Sequence, residues 1–235
     1  MYKTIIFDLD DTLTDDKANI KEALKIVMKY MNIKYTENNF KRFYEIDKAT
    51  WRDRAAGKLL TPYEDNKEKK TEWIRASRFL KFFNNEISYE EAVEVNNIYM
   101  DGMKKHVVSR DGTKEVINYL HEKGYKIIIA TNGPTIPLKT KIDKLGITNY
   151  VDTIFAADEV GFMKPHKEYY EGLLKKANIT NKYDILFIGD DLDKDIKGGL
   201  DNGIDTCWCN YNNEINNKYN TQYEITSLYE LKNIL

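Results

Sequence analysis

The sequence predicts an α/β protein: a Rossmann-like, doubly wound parallel sheet interrupted by an all-helical insert. Two observations carry that prediction. Short apolar runs rich in β-branched and aromatic residues alternate with segments of helical periodicity from Val107 onward, the pattern of parallel strands joined by crossover helices. Between about Asp16 and His106, by contrast, apolar residues recur at three- and four-residue spacing and no strand pattern interrupts them, as in amphipathic helices. The expected organisation is therefore a core from residues 1–15 and 107–235 and a helical domain over 16–106.

The first strand is read over about Lys3 to Leu9. In the insert, IKEALKIVMKYM, NNFKRFYEIDKATWRDRAA, EWIRASRFLKFF and SYEEAVEVNNIYMDGM are read as helices. Ser88 and Glu91 stand in capping-box spacing, and Pro62 after Thr61 reads as a further helix start. After Val107, RDGTKEVINYLHEKG is a helix closed by Gly124 and YKIIIATNG a buried strand. Ile136 to Leu145 is a helix closed by Gly146, VDTIFAADEVG holds a short strand and HKEYYEGLLKKANI a helix. ILFIGDD is a fourth strand, followed by a helix through Gly199 and Leu200. GIDTCWC is a fifth, and the tail closes with a short strand and helix. Right-handed crossovers place every carboxyl end of such strands on one edge, where open α/β sheets bind ligands.

Composition excludes several functions. The chain has 235 residues, with 36 Lys+Arg against 38 Asp+Glu and a formal net charge of −2. A nucleic-acid polymer binder should show a basic excess. No window approaches the ~20 apolar residues of a membrane span, and the chain enters its first strand too soon for a signal peptide. Cys207 and Cys209 lie two apart on one strand, so they share a face and are poorly placed to bridge each other. Two thiols without a disulfide framework fit a reducing cytoplasm.

The expected ligand edge concentrates chemistry. The first strand ends in FDLDDTLT, with Asp8 and Asp10 two apart. The second ends in Thr131-Asn132-Gly133, a strand-to-helix turn of the kind that receives phosphate. The fourth ends in Asp190 and Asp191, with Asp195 beyond, and Lys164 sits in the loop after the third. Taken singly each is an ordinary turn or surface charge; together they fall on one edge. Two like charges at ~4 Å repel by roughly 4 kcal/mol at an effective dielectric of 20, so Asp8, Asp10 and Asp190 require a cation. An oxygen-only set without His or Cys suits Mg²⁺ bound beside a phosphate. A carboxylate near its usual pKa of about 3.9 is ionised at neutral pH and attacks phosphorus without a base.

These residues resemble the haloacid dehalogenase superfamily in all four of its motifs, in order: FDLDDTLT, ATNGP, MKPHKEYY and IGDDLDKDI. The resemblance implies that Asp8 is a nucleophile forming an aspartyl-phosphate. It makes Asp10 the acid for the leaving oxygen and then the base for water. Thr131, Asn132 and Lys164 would hold the phosphoryl oxygens, Lys164 also orienting Asp8. Asp8, the backbone carbonyl of Asp10, and Asp190 would bind Mg²⁺, with Asp195 behind them pairing Lys164. Asp191 stands where family members usually carry a small polar residue. Dehalogenases of the superfamily lack an acid at the position of Asp10, so its presence favours phosphate esters or a mutase. The insert is similar to the superfamily's larger helical cap, which closes over the site and chooses the substrate.

Within the superfamily the chain is similar to the pyrimidine 5′-nucleotidase branch, through GGLDNGIDTCWCN and the surroundings of Trp51, Gly57 and RASRF. The expected substrate is then a small phosphate monoester, a nucleoside 5′-monophosphate, acted on by a cytoplasmic monomer or homodimer. Trp51 and Phe79 are candidates to stack on a base, and Arg54 and Lys58 to reach the substrate; packing and solvated charge remain equally open readings of them. The alternatives are a phosphatase of small sugar phosphates or phosphoglycolate, then a phosphomutase, then a non-catalytic binder of phosphate ligands.

Overall fold

Four consecutive residues, Thr4–Phe7, are wholly buried and form β1, and the sheet is built outward from them. The computed structural model describes residues 2–235. They form two compact units: residues up to Asp16 with Val107–Leu235, and Lys17–His106. The first unit contains β1, β2 (Lys126–Thr131), β3 (Thr153–Ala156), β4 (Ile185–Gly189), β5 (Asp205–Cys209) and β6 (Tyr223–Ile225). Their order is β3-β2-β1-β4-β5-β6 and every pairing is parallel. Residues alternate between two faces, as a period of two demands. Ile5, Phe7, Ile127, Ile129, Leu186 and Ile188 enter one apolar cluster, and Ile6, Ile128, Ile185 and Phe187 the other.

Strand order reverses between β1 and β4: the chain proceeds to β2 and β3 on one side and to β5 and β6 on the other. That is the topological switch point, where α/β sheets open a crevice at their carboxyl edge. The first strand is shorter than its predicted span, although the Asp8 amide still donates to Ile188 O at 2.8 Å. The crossover helices α5 (Thr113–Glu122), α6 (Thr135–Leu145), α7 (Lys167–Lys176) and α8 (Lys197–Asp201) connect the strands, and α9 (Leu231–Ile234) closes the chain. Cys207 and Cys209 are free, buried and on the same sheet face.

Beyond β4 the sequence predicts a helix through Gly199 and Leu200. The chain first makes a wide π turn over Leu192–Ile196 before α8. The Ile196 amide reaches back five residues to Asp191 O at 3.3 Å. Gly189 explains what this turn accommodates. A Cβ there would lie 2.4 Å from the Asp195 carboxyl carbon, so only glycine lets Asp195 fold back against the strand.

The second unit holds α1 (Asp16–Tyr30, its first residue in the sheet unit), α2 (Glu37–Ala55), α3 (Lys67–Phe82) and α4 (Tyr89–Lys105). Its centre is aromatic: Phe43 stacks on Phe79 at 5.0 Å and meets Phe82 and Tyr99. The Ser88–Glu91 capping box forms as expected. No helix begins at Pro62, where a helix start was expected. Thr61 Oγ1 accepts from the Tyr63 amide at 3.0 Å and closes a turn, and α3 starts later, capped by Asn66. Among the described residues no helix is long and apolar enough to cross a membrane.

A charge pair lies inside this unit. The Arg78 guanidinium donates to Asp47, to Asn96 Oδ1 at 2.9 Å and to Arg75 O at 3.1 Å, so it is held on all sides. Removing one member of a buried pair strands the other. Asp47→Ala should therefore destabilise the protein by about 3 kcal/mol, read as a lowered urea midpoint. A change below about 0.5 kcal/mol would show that the pair holds nothing.

Candidate active site

Burial makes Lys164 the fixed point of the sheet's carboxyl edge. It is 4% exposed, and its ammonium donates to Asp8 Oδ1, to Asp195 Oδ1 at 2.7 Å and to Ala130 O at 3.2 Å. An ammonium carries three protons, so each is used. Burial alone would drive the proton off, but Asp195 and Asp8 reverse that and hold the Lys164 pKa well above its ordinary value. The residue thereby joins the ends of β1 and β2 and the turn after β4.

Asp8 is 6% exposed and directly follows β1. Its second oxygen, Oδ2, lies 3.2 Å from Thr12 Oγ1, which also lies 2.9 Å from Asp190 Oδ1. That hydroxyl donates to one carboxylate at a time and spans the gap between β1 and β4. Asp190 is positioned from its other side, its carbonyl accepting from Trp208 Nε1 at 2.8 Å. Asp195 accepts from Lys164 and, through Oδ2, from the Asp191 amide at 3.1 Å.

Thr131 ends β2, buried, with its hydroxyl oxygen accepting from the Gly133 amide at 3.0 Å and its carbonyl accepting from Tyr169. Asn132 is engaged differently from its expected role. Its side chain takes the Lys164 amide at 2.7 Å and donates to Lys164 O at 3.1 Å, so it clamps the lysine loop. Asp191 caps the π turn, accepting from the Asp193 and Lys194 amides at 3.0 and 2.9 Å, and pairs with Lys194. Both of its oxygens thus serve the turn.

Asp10 is partly exposed and makes an ion pair with Lys141, which also meets Asp16 at 3.3 Å. Lys141 was not anticipated. It stands on α6 among other lysines, and nothing in its spacing distinguishes it from a solvated charge. Thr12 lay inside FDLDDTLT without an assigned role; its position four residues after Asp8 was the only signal.

The acids outnumber the cations that face them. Burial, opposed by Lys164 and reinforced by Asp195 and Asp10, pushes the Asp8 pKa up to about 7. Burial and Asp8 push Asp190 well above the carboxylate range. Burial and Asp16 raise Asp10 against the pull of Lys141. Carboxylate oxygens of Asp8, Asp190 and Asp195 lie within 4.8 Å of one another. With Asp195 committed to Lys164 and Asp191, the donors left for a hard divalent cation are Asp8 and Asp190. An all-oxygen set carrying excess negative charge fits Mg²⁺.

In the helical unit, Trp51 donates its indole N–H to Asp47 at 3.1 Å, and its ring lies against the guanidinium groups of Arg54 and Arg78. Arg54 and Lys58 are exposed. Phe79 does not offer a stacking face. It is fully buried against Phe43 and Tyr99, so it is a packing residue.

Sheet and site together place a cluster of buried carboxylates and one buried lysine at the ligand-binding edge of a parallel sheet. Residues 2–203 match the family model of haloacid dehalogenase-like hydrolases, and the chain belongs to that family. It is 30% identical to the HAD-hydrolase YfnB of Bacillus subtilis, covering 100% of this chain and 95% of the relative. The structure of YfnB bound to magnesium superposes with a TM-score of 0.86 at 28% identity, covering 100% of this chain and 98% of that one. Pyrimidine 5′-nucleotidase PynA of Streptococcus pneumoniae is 28% identical, covering 100% and 97%. A glyceraldehyde 3-phosphate phosphatase of Pyrococcus abyssi is 26% identical, covering 90% and 82%.

The raised acids have a consequence for stability. A folded-state pKa above the unfolded value means the native protein binds the proton more tightly, so stability falls as pH rises through that window. For Asp8 the window runs from about 4 to about 7, and Asp11, raised to about 6 by burial and Asp16, adds to it. Metal-free protein should therefore melt at lower temperature as pH is raised from about 5 to about 7. Asp8→Asn should flatten that fall. A melting temperature that rises across the window contradicts the assignment.

Proposed function

We propose that this hydrolase is a Mg²⁺-dependent phosphomonoesterase that works through an aspartyl-phosphate on Asp8 and prefers nucleoside 5′-monophosphates. The observation that carries the reading is the clamping of Asp8. Lys164 holds one carboxylate oxygen and Thr12 borders the other, beside the Thr131–Gly133 turn and the Asp190 carboxylate. A carboxylate fixed in this way is oriented for attack before substrate arrives, which removes much of the entropic part of the barrier.

Asp8, the Asp10 carbonyl and Asp190 would hold the metal. When bound, Mg²⁺ supplies positive charge against the carboxylates and a phosphoryl oxygen, as metal ions do in phosphoryl transfer. The Asp8 oxygen forms a bond to phosphorus while the ester P–O bond breaks, and its electron pair leaves with the alkoxide oxygen. That oxygen takes the proton of the Asp10 carboxyl. In the second half, Asp10 accepts a proton from water as the water oxygen bonds to phosphorus. The bond from the Asp8 oxygen to phosphorus breaks as that bond forms, its electron pair returning to Asp8, so inorganic phosphate is released with Asp8 again a carboxylate and Asp10 again protonated. Lys164, the Thr131 hydroxyl and the Asn132 backbone amide receive the charge on the phosphoryl oxygens.

The substrate class rests on the kinship to PynA and on Trp51 with Arg54 and Lys58 in the helical unit. There an indole ring lies beside cations, groups of the kind that recognise a nucleobase. The kinship to a glyceraldehyde 3-phosphate phosphatase supports a second reading, a phosphatase of small sugar phosphates or phosphoglycolate. The free, buried Cys207 and Cys209 suit a reducing cytoplasm.

Asp8→Asn should lower Mg²⁺-dependent phosphate release from p-nitrophenyl phosphate by about 10³-fold or more without changing the circular dichroism. Wild-type rates in that variant would overturn the mechanism. A screen of pyrimidine and purine 5′-monophosphates, sugar phosphates and phosphoglycolate decides the substrate. The highest kcat/KM should fall on a nucleotide, and a preference of tenfold or more for a triose phosphate would replace that reading.

A further inference from the structure

We propose that Lys141 is a positioning residue that fixes the side chain of Asp10 so that one particular carboxylate oxygen faces the ester; this rests on the phosphomonoesterase reading above. Lys141 lies on α6, three residues after Leu138 and one before Ile142, both buried in the sheet-unit core. A lysine at that offset stands at the margin of the buried face. Its side chain is 17% exposed, and it spends its ammonium on Asp10 Oδ1 and on Asp16 Oδ1 at 3.3 Å.

The second of those partners is itself anchored. Asp16 Oδ1 accepts from Thr14 Oγ1 at 3.0 Å, and the Asp16 amide donates to Asp11 Oδ1 at 3.1 Å. Lys141 is thus tethered to an anchored carboxylate as well as to Asp10. The remaining oxygen of Asp10, Oδ2, points toward Gly133. It lies 3.8 Å from the position a Cβ would occupy on that glycine, and Thr131 Oγ1 lies 3.4 Å from the same position. The two oxygens of Asp10 therefore have separate environments. Oδ1 is held by Lys141, and Oδ2 borders the turn assigned to the phosphoryl group.

Without the lysine, Asp10 would be free to rotate about its side-chain torsions, and the proton donor would be in place for a fraction of the time. The consequence depends on the leaving group. As the ester P–O bond breaks, its electron pair settles on the departing oxygen. An alkoxide must take the Asp10 proton, whereas p-nitrophenolate is stable as the anion. A lysine acting through Asp10 should matter for the first and hardly at all for the second.

The test compares kcat/KM for ethyl, phenyl and p-nitrophenyl phosphate in wild type, Lys141→Met, Lys141→Arg and Asp10→Asn with and without Lys141→Met. In Lys141→Met, kcat/KM on ethyl phosphate should fall about 10²-fold and on p-nitrophenyl phosphate less than about threefold. Lys141→Arg should recover most of the ethyl phosphate activity. In the Asp10→Asn background, adding Lys141→Met should cost nothing further, because the two act as one unit. An equal loss on all three esters, or an additive loss in the double variant, would mean that Lys141 only supports the fold and would overturn the proposal. If Lys141→Met does not fold, Lys141→Gln and the double variant carry the same comparison. Failure of the phosphomonoesterase reading is distinct: wild type would release phosphate from none of the esters.

Discussion

A single buried ammonium holds this enzyme's site together. Lys164 is almost without solvent, yet it stays charged because three acceptors from three different segments meet its three protons. Two of those acceptors, Asp8 and Asp195, would repel each other without it, and the third is the Ala130 carbonyl near the end of β2. Because breaking a buried pair leaves an uncompensated charge, the loop carrying Lys164, the end of β1 and the turn after β4 are locked in one arrangement. Asn132 reinforces the lock by binding the Lys164 backbone through both ends of its amide.

The same centre explains why the edge is suited to an anion and a cation together. One lysine neutralises part of the charge of Asp8 and Asp195, but Asp190 remains, and burial forces it toward its protonated form. A divalent cation would restore balance and leave room for the charge of a phosphate. Gly189 and the π turn make this possible by returning Asp195 to the strand, where it serves Lys164. Asp190 is thereby left facing Thr12 and Asp8.

Much of the sheet and of its edge is legible in the chain. Apolar runs that end in polar residues mark parallel strands and their carboxyl ends, so Asp8, Asp10, Thr131 and Asp190 can be placed before any coordinates exist, with Lys164 in the loop after the third strand. Other features are not local properties of the sequence. Lys141 looks like Lys139 or Lys144 on the same helix, and only the packing of α6 on the sheet turns it toward Asp10. The π turn hides within an acidic stretch whose pattern is helical, and the steric permission for it comes from Gly189. Pro62 misleads because the Thr61 hydroxyl accepts from the Tyr63 amide and closes a turn there instead. Phe79 and Trp51 are both aromatic residues of the insert, but only tertiary packing separates the one that builds the core from the one that keeps a face against two guanidinium groups.

Asp8 is the centre of this account, because Lys164 and Thr12 border its two oxygens and Asp190 meets the same Thr12 hydroxyl. Rapid acid quenching during turnover of p-nitrophenyl phosphate with Mg²⁺, followed by peptide mass analysis, reads its role directly. The phosphoryl group should appear on the peptide containing Asp8 and be absent from Asp8→Asn. A phosphoryl group on any other residue, or turnover by Asp8→Asn with no labelled peptide, would contradict the account.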